Sequence, residues 1–180
     1  MHDKCLRYKK YLLNQCSLYK CSSMKRLANL FMTSLDELHW ILQTARYKDF
    51  QIPKKNSEDL RTISSPNAEL KKAQKRVLKL LQKVQRPSWL NSSEKGKSYV
   101  DNGIYHKNCD FCLTVDIRKF YDYCNREYVY AFFKNKLLCA SDIAKYLTDL
   151  CTYNGGIKTG TPISQLIAYY AYEDMFESIY

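Results

Sequence analysis

Glycine and proline are scarce in this 180-residue chain, with 5 and 4 residues respectively. That scarcity excludes a collagen-like or low-complexity chain, and a hydrophobic fraction of 46% argues against wholesale disorder. No apolar run approaches the roughly 20 residues that cross a bilayer. The opening residues, Met1-His2-Asp3-Lys4-Cys5-Leu6-Arg7, lack the apolar core of a secretory signal. The chain therefore reads as cytoplasmic, with no membrane association. Its eight cysteines read as reduced thiols rather than a disulfide framework.

Acidic residues are short in one half only. Residues 1–100 carry 21 Lys/Arg against 8 Asp/Glu, whereas residues 101–180 carry 8 against 10. A basic half beside a near-neutral half points to a polyanionic partner for the first. A metal centre has less support. His106-x-x-Cys109-x-x-Cys112 offers three zinc-ligand types, but no second Cys-x-x-Cys exists to complete a structural site. Cys112 lies within the apolar run Phe111 to Val115, where a thiol is expected to pack as a small hydrophobe.

Local patterns outline an α+β chain. Residues 1–26 are basic and rich in Tyr and Cys, and read as a helical arm. Ser34 followed by Glu37 is a capping-box signature for a short helix. Tyr47–Ile52 and Leu60–Ser64, flanking the polar run Lys54 to Asp59, predict a hairpin. The spacing of Leu70, Ala73, Val77, Leu80, Leu81 and Val84 predicts a helix over 67–86. On its other faces seven cations, Lys71, Lys72, Lys75, Arg76, Lys79, Lys83 and Arg86, face one acid, Glu69. Few i,i+4 ion pairs can form, which favours a phosphate backbone as the partner of this helix. Phe111–Val115 reads as a buried strand ending at Asp116, well placed to hold a cation. Helices over 126–136 and 142–151 follow, capped by Asn125 and Ser141. After them come an Asn154-Gly155-Gly156 turn and a helix from Ser164 to the last residue.

Five motifs in order resemble the retron-type and group II intron-type bacterial reverse transcriptases, from about Leu27 to Tyr180. Ile52-Pro53-Lys54-Lys55 with Leu60-Arg61-Thr62-Ile63 is similar to the family's fingers hairpin. Leu70-Lys71-Lys72-Ala73-Gln74 resembles the helix after it. Gly96-Lys97-Ser98 with Asn102 and His106 is similar to the retron pattern upstream of the catalytic strand. Val115-Asp116-Ile117-x-x-Phe120-Tyr121 resembles the first catalytic-Asp motif. Gly160-Thr161-Pro162-Ile163-Ser164-Gln165 resembles the Gly-x-Pro-x-Ser motif. Thr159 stands where many relatives carry Gln, and Tyr169 where many carry Asn.

The resemblance implies an RNA-directed DNA polymerase with a right-hand fold: a basic arm over 1–33, fingers over 34–108 and part of the palm over 109–180. It implies two Mg²⁺ ions in the complete enzyme, held partly by Asp116 and the main-chain carbonyl of Ile117. Lys54 and Arg61 would hold the incoming dNTP, Tyr121 would exclude a ribose 2′-hydroxyl, and Gly160 would let backbone approach the nascent pair. Lys71, Lys75, Lys79 and Lys97 would contact nucleic acid. Implied partners are an RNA template or structured non-coding RNA and a DNA product, with a role in phage defence. The family's Tyr-x-Asp-Asp motif has no counterpart, since no Asp-Asp pair occurs in the sequence. The chain is thus expected to be a piece of a longer protein and inactive alone. The alternative is an RNA-binding remnant without catalysis.

Overall fold

The computed structural model describes residues 10–53, 58–92, 94 and 96–180. Helix α1 (Met24–Phe31) begins at Ser23, whose hydroxyl accepts the Arg26 amide at 3.2 Å. Helix α2 (Leu35–Gln43) begins at Ser34, whose hydroxyl accepts the Glu37 amide at 3.1 Å. The Glu37 carboxylate accepts the Thr33 hydroxyl instead of closing the expected box on the Ser34 amide. Strands β1 (Tyr47–Pro53) and β2 (Leu60–Pro66) pair antiparallel, with Tyr47 opposite Pro66 and Ile52 opposite Arg61. They are the one sheet among the described residues.

Helix α3 (Ala68–Leu81) buries Leu70, Ala73, Val77 and Leu81, as the 3.6-residue period predicts. It stops short of the expected end at 86. Two tyrosine hydroxyls take its terminal carbonyls, Tyr11 on Leu80 at 3.0 Å and Tyr170 on Leu81 at 3.2 Å. The chain beyond pairs with residue 11 through Tyr11 N to Lys83 O and Gln85 N to Tyr11 O. On α3, the fully buried Gln74 amide donates to the Tyr47 hydroxyl and the Leu150 carbonyl, both at 3.0 Å. That bond pair fixes the hairpin to the far half of the chain.

Helix α4 (Tyr99–Tyr105) is surface-exposed. Helix α5 (Arg126–Ala131) runs into a π-helical turn, Phe132–Lys136, and then into α6 (Ser141–Cys151). Helix α7 (Ser164–Ala171) is followed by α8 (Glu173–Ile179) after an interruption at Tyr172, where the sequence predicts one unbroken helix. Phe132, Phe133, Leu137, Ile143, Leu147 and Ile167 form the centre of the core. Mixed helix and strand make the chain α+β.

Two expectations are corrected. Residues 10–23, ahead of α1, are not a helical arm: Cys16, Leu18 and Cys21 are at most 3% exposed and belong to the common core. Backbone bonds from Lys20 N to Leu137 O and from Ala140 N to Cys21 O tie the segment to the π-helical turn and α6. Phe111–Val115 is not a strand. Residues 111–117 have no regular structure, and Phe111, Leu113 and Val115 are 94%, 88% and 73% exposed. Cys112 is exposed with them rather than packed in a core. A strand exists through pairing, and none of the described residues pairs with this run.

Candidate functional site

The Asn154-Gly155 turn is the sharpest local feature of the site. Asn154 and Gly155 both have positive φ, 47° and 76°, as a two-residue primed turn demands. Tyr153 and Gly156 close it with reciprocal backbone bonds of 2.9 and 3.2 Å. The Tyr153 ring stacks on Tyr47 of β1, with centroids 4.1 Å apart. The chain then runs past Lys158 to the expected Gly160 loop, which docks against β2. Ser64 N donates to Thr159 O at 2.9 Å, and the Thr159 hydroxyl donates to Thr62 O at 2.7 Å. The Ser164 hydroxyl, bonded to Lys158 O, closes the loop at the start of α7.

Gly160 is required here by shape. Its φ is +102°, and a Cβ would stand 2.5 Å from Ile63 Cγ2 and 2.9 Å from the Ser64 carbonyl oxygen. The backbone it admits is that of the hairpin, so the glycine joins the two halves of the chain.

The docking leaves a cleft of about 190 Å³. Thr62 and Ser64 line it from β2, Lys158 and Thr159 from the loop, and Tyr121 and Asp122 from a 3-10 turn, Phe120–Tyr123. Burial pushes the Tyr121 phenol up, as does Cys124, against the opposing pull of the Arg61 guanidinium. Tyr121 lines the cleft and Gly160 seats the loop that forms one of its walls, whereas Arg61, on β2 beside Thr62, is exposed and does not line it. Lys54 lies outside the described residues.

Asp116 and Ile117 are exposed in the irregular segment preceding the 3-10 turn, and Asp116 does not line the cleft. Its carboxylate makes no hydrogen bond or ion pair among the described residues. Nor do any three His, Cys, Asp or Glu side chains among these residues form a group able to hold a metal ion. One carboxylate and one carbonyl are hard oxygen donors, but they fall well short of the octahedral set that Mg²⁺ demands. The described residues do not by themselves fit that ion.

Lys71, Lys75 and Lys79 are exposed along α3, with Lys72 and Lys83 beside them. None makes an ion pair among the described residues. Arg76, by contrast, donates to Leu30 O at 2.6 Å and holds the end of α1. Lys97 also turns inward. Its ammonium donates to Ser88 O at 2.6 Å and Leu90 O at 3.3 Å, which gives it the role of closing its own loop. Glu94 ties that loop to Arg86 at 2.7 Å and also to Lys10.

Thr159 and Tyr172 escape sequence reasoning. Thr159 stands out in the sequence only as a departure from the usual Gln, yet it makes both bonds to β2. Tyr172 carries no motif.

No protein-family model matches the chain. It is 27% identical to the retron Se72 reverse transcriptase of Salmonella heidelberg (strain 579083-10) over 150 residues, which cover 82% of this chain and 40% of the relative. It is 30% identical to the retron Mx162 reverse transcriptase of Myxococcus xanthus over 111 residues, which cover 58% of this chain and 23% of that protein. The chain is a homologue of the retron reverse transcriptases. It spans less than half the length of these two relatives, and the match to the first runs across most of this retron-type sequence. No helix among its described residues is long and apolar enough to cross a membrane.

Proposed function

We propose that this polypeptide is the fingers and part of the palm of an RNA-directed DNA polymerase of the retron type. The supporting observation is the convergence of Tyr121, the Gly160 loop and β2, the strand that carries Arg61, around one cleft between hairpin and helical core, although they lie far apart in sequence. In this reading Arg61, with Lys54, draws the triphosphate of a dNTP toward the hairpin. The Tyr121 ring, half-buried beside the cleft, leaves room for a deoxyribose and excludes a 2′-hydroxyl. Gly160 holds the palm loop against β2, so that the fingers and palm walls of the cleft keep a fixed separation. Asp116 and the Ile117 carbonyl would contribute donors to Mg²⁺ in the complete enzyme, with the remaining carboxylates supplied by residues that have no Asp-Asp counterpart in this sequence.

RNA is the proposed template, held in part by the lysine row of α3. Successive members at i and i+4 are about 6 Å apart along the axis, which suits contact with consecutive phosphates. A structured non-coding RNA partner, a DNA product and a role in phage defence belong to the same reading. So does a cytoplasmic location.

Primer extension on an RNA template, with the complete protein that carries this sequence, tests the proposal. The wild type should extend with dNTPs, and Tyr121→Ala should extend while accepting ribonucleotides more readily. Absence of RNA-templated extension would refute it. The exposure of Asp116 favours a second reading, an RNA-binding remnant without chemistry. That reading predicts RNA binding with no extension. In both readings, replacing Lys71, Lys75 and Lys79 by Gln should flatten the slope of log K against log salt by about 0.7 for each phosphate that is no longer neutralised.

A further inference from the structure

We infer that Tyr172 is a positioning residue for the cleft wall that carries Tyr121. This rests on the polymerase reading for its consequence, but the contact itself stands on geometry. Helix α7 stops at Tyr172, whose backbone (φ −119°, ψ 20°) serves as both the end of α7 and the start of α8. Neither glycine nor proline is present to cause the break. Just beyond it, the Lys136 ammonium bonds Glu173 at 2.8 Å and Asp174 at 2.6 Å and pins the start of α8.

The interruption delivers the Tyr172 side chain to residues 123–125. Its phenol oxygen accepts the Asn125 amide at 2.8 Å and donates to the Tyr123 carbonyl at 3.1 Å. The ring meets Phe120 edge-on at 5.6 Å, and Phe120 in turn contacts Tyr121 at 5.5 Å. One hydroxyl and one ring therefore hold both ends of the 3-10 turn that presents Tyr121 and Asp122 to the cleft. On the opposite side, Ile157 N donates to Cys124 O at 3.0 Å and Arg126 N to Gly155 O at 3.0 Å. The turn is gripped between Tyr172 and the primed turn at 154–155. Phe at 172 would keep the aromatic contacts and remove the two hydrogen bonds, so the hydroxyl can be tested apart from packing.

Hydrogen exchange on the complete protein that carries this sequence is the first arm. Tyr172→Phe should speed exchange of the Asn125 amide about tenfold, the ratio that corresponds to one net hydrogen bond, while amides within α7 keep their rates. The second arm is the dNTP-to-rNTP discrimination ratio of the complete polymerase. It should fall in Tyr172→Phe and fall further in Tyr121→Ala. Unchanged Asn125 exchange overturns the inference, as does faster exchange with an unchanged ratio where Tyr121→Ala lowers it. If Tyr121→Ala leaves the ratio unchanged, the gate assignment of Tyr121 fails; the hydroxyl contact then stands or falls on the exchange rate alone.

Discussion

Two short segments that the sequence reads as strands meet opposite fates. Leu60–Pro66 forms β2, with β1 along one edge and Thr159 bonded to the other. Phe111–Val115 is far more apolar and continuous, yet it lies exposed and unpaired among the described residues. The difference is the partner. β2 has a hairpin neighbour six residues away in sequence and a loop that reaches it from residue 159. Among the described residues the second run has no neighbour that supplies the ladder, and intrinsic β propensity cannot replace one. An exposed apolar run of this kind is also a template for association between chains.

The sharpest way to break the favoured segment is at its outer edge. Gly160→Val should destabilise the chain by about 2–4 kcal/mol, combining strain at positive φ with overpacking against Ile63 and Ser64. Urea unfolding should show the drop, and Thr159→Val should show a smaller one because only the hydroxyl bond to Thr62 disappears.

Alkaline pH separates buried from exposed groups without mutation. Burial raises the Cys124 and Cys139 thiols from 9.0 to about 11 and the Tyr47 phenol from 10.0 to about 12. The folded chain holds these protons where the unfolded chain releases them, so the associated stability is complete below pH 9 and is lost as pH rises toward 12. Melting temperature should be level between pH 7 and 8.5 and then fall. A level profile through pH 11 would contradict the burial of these groups.

Thiol labelling at neutral pH gives a finer contrast. Cys109 and Cys112 should react with a disulfide reagent in the native state, whereas Cys16, Cys21, Cys139 and Cys151 should react only after unfolding. Smallest of all is the expected effect of Phe111→Ser, Leu113→Ser and Val115→Ser together. Stability should change by less than about 0.5 kcal/mol for each site, because none of the three is buried, while association at high concentration should decrease.

Features legible in the sequence are mostly local. Ser34 and Glu37 mark α2, the apolar period marks α3, and Asn154-Gly155 marks a tight turn, because each is decided within a few residues. The end of α3 is not legible, since it depends on hydroxyls from Tyr11 and Tyr170 at opposite ends of the chain. The same holds at the site. Arg61, Tyr121 and Gly160 belong to recognisable motifs, but Thr159 bonds a residue 97 positions away and Tyr172 bonds residues 47 and 49 positions away. Long-range polar contacts made by single side chains leave no periodic trace. Lys97 shows the converse: its charge suggests a phosphate, while two carbonyls within nine residues account for it.

The polymerase reading is tested most directly at Asp116. In the complete protein, Asp116→Asn keeps the size of the side chain and removes one carboxylate that is exposed and makes no hydrogen bond or ion pair among the described residues. RNA-templated primer extension should be abolished, with RNA affinity within about twofold of wild type, because no phosphate-neutralising cation is removed. Near-normal extension by Asp116→Asn would contradict the assignment of this residue and the reading built on it.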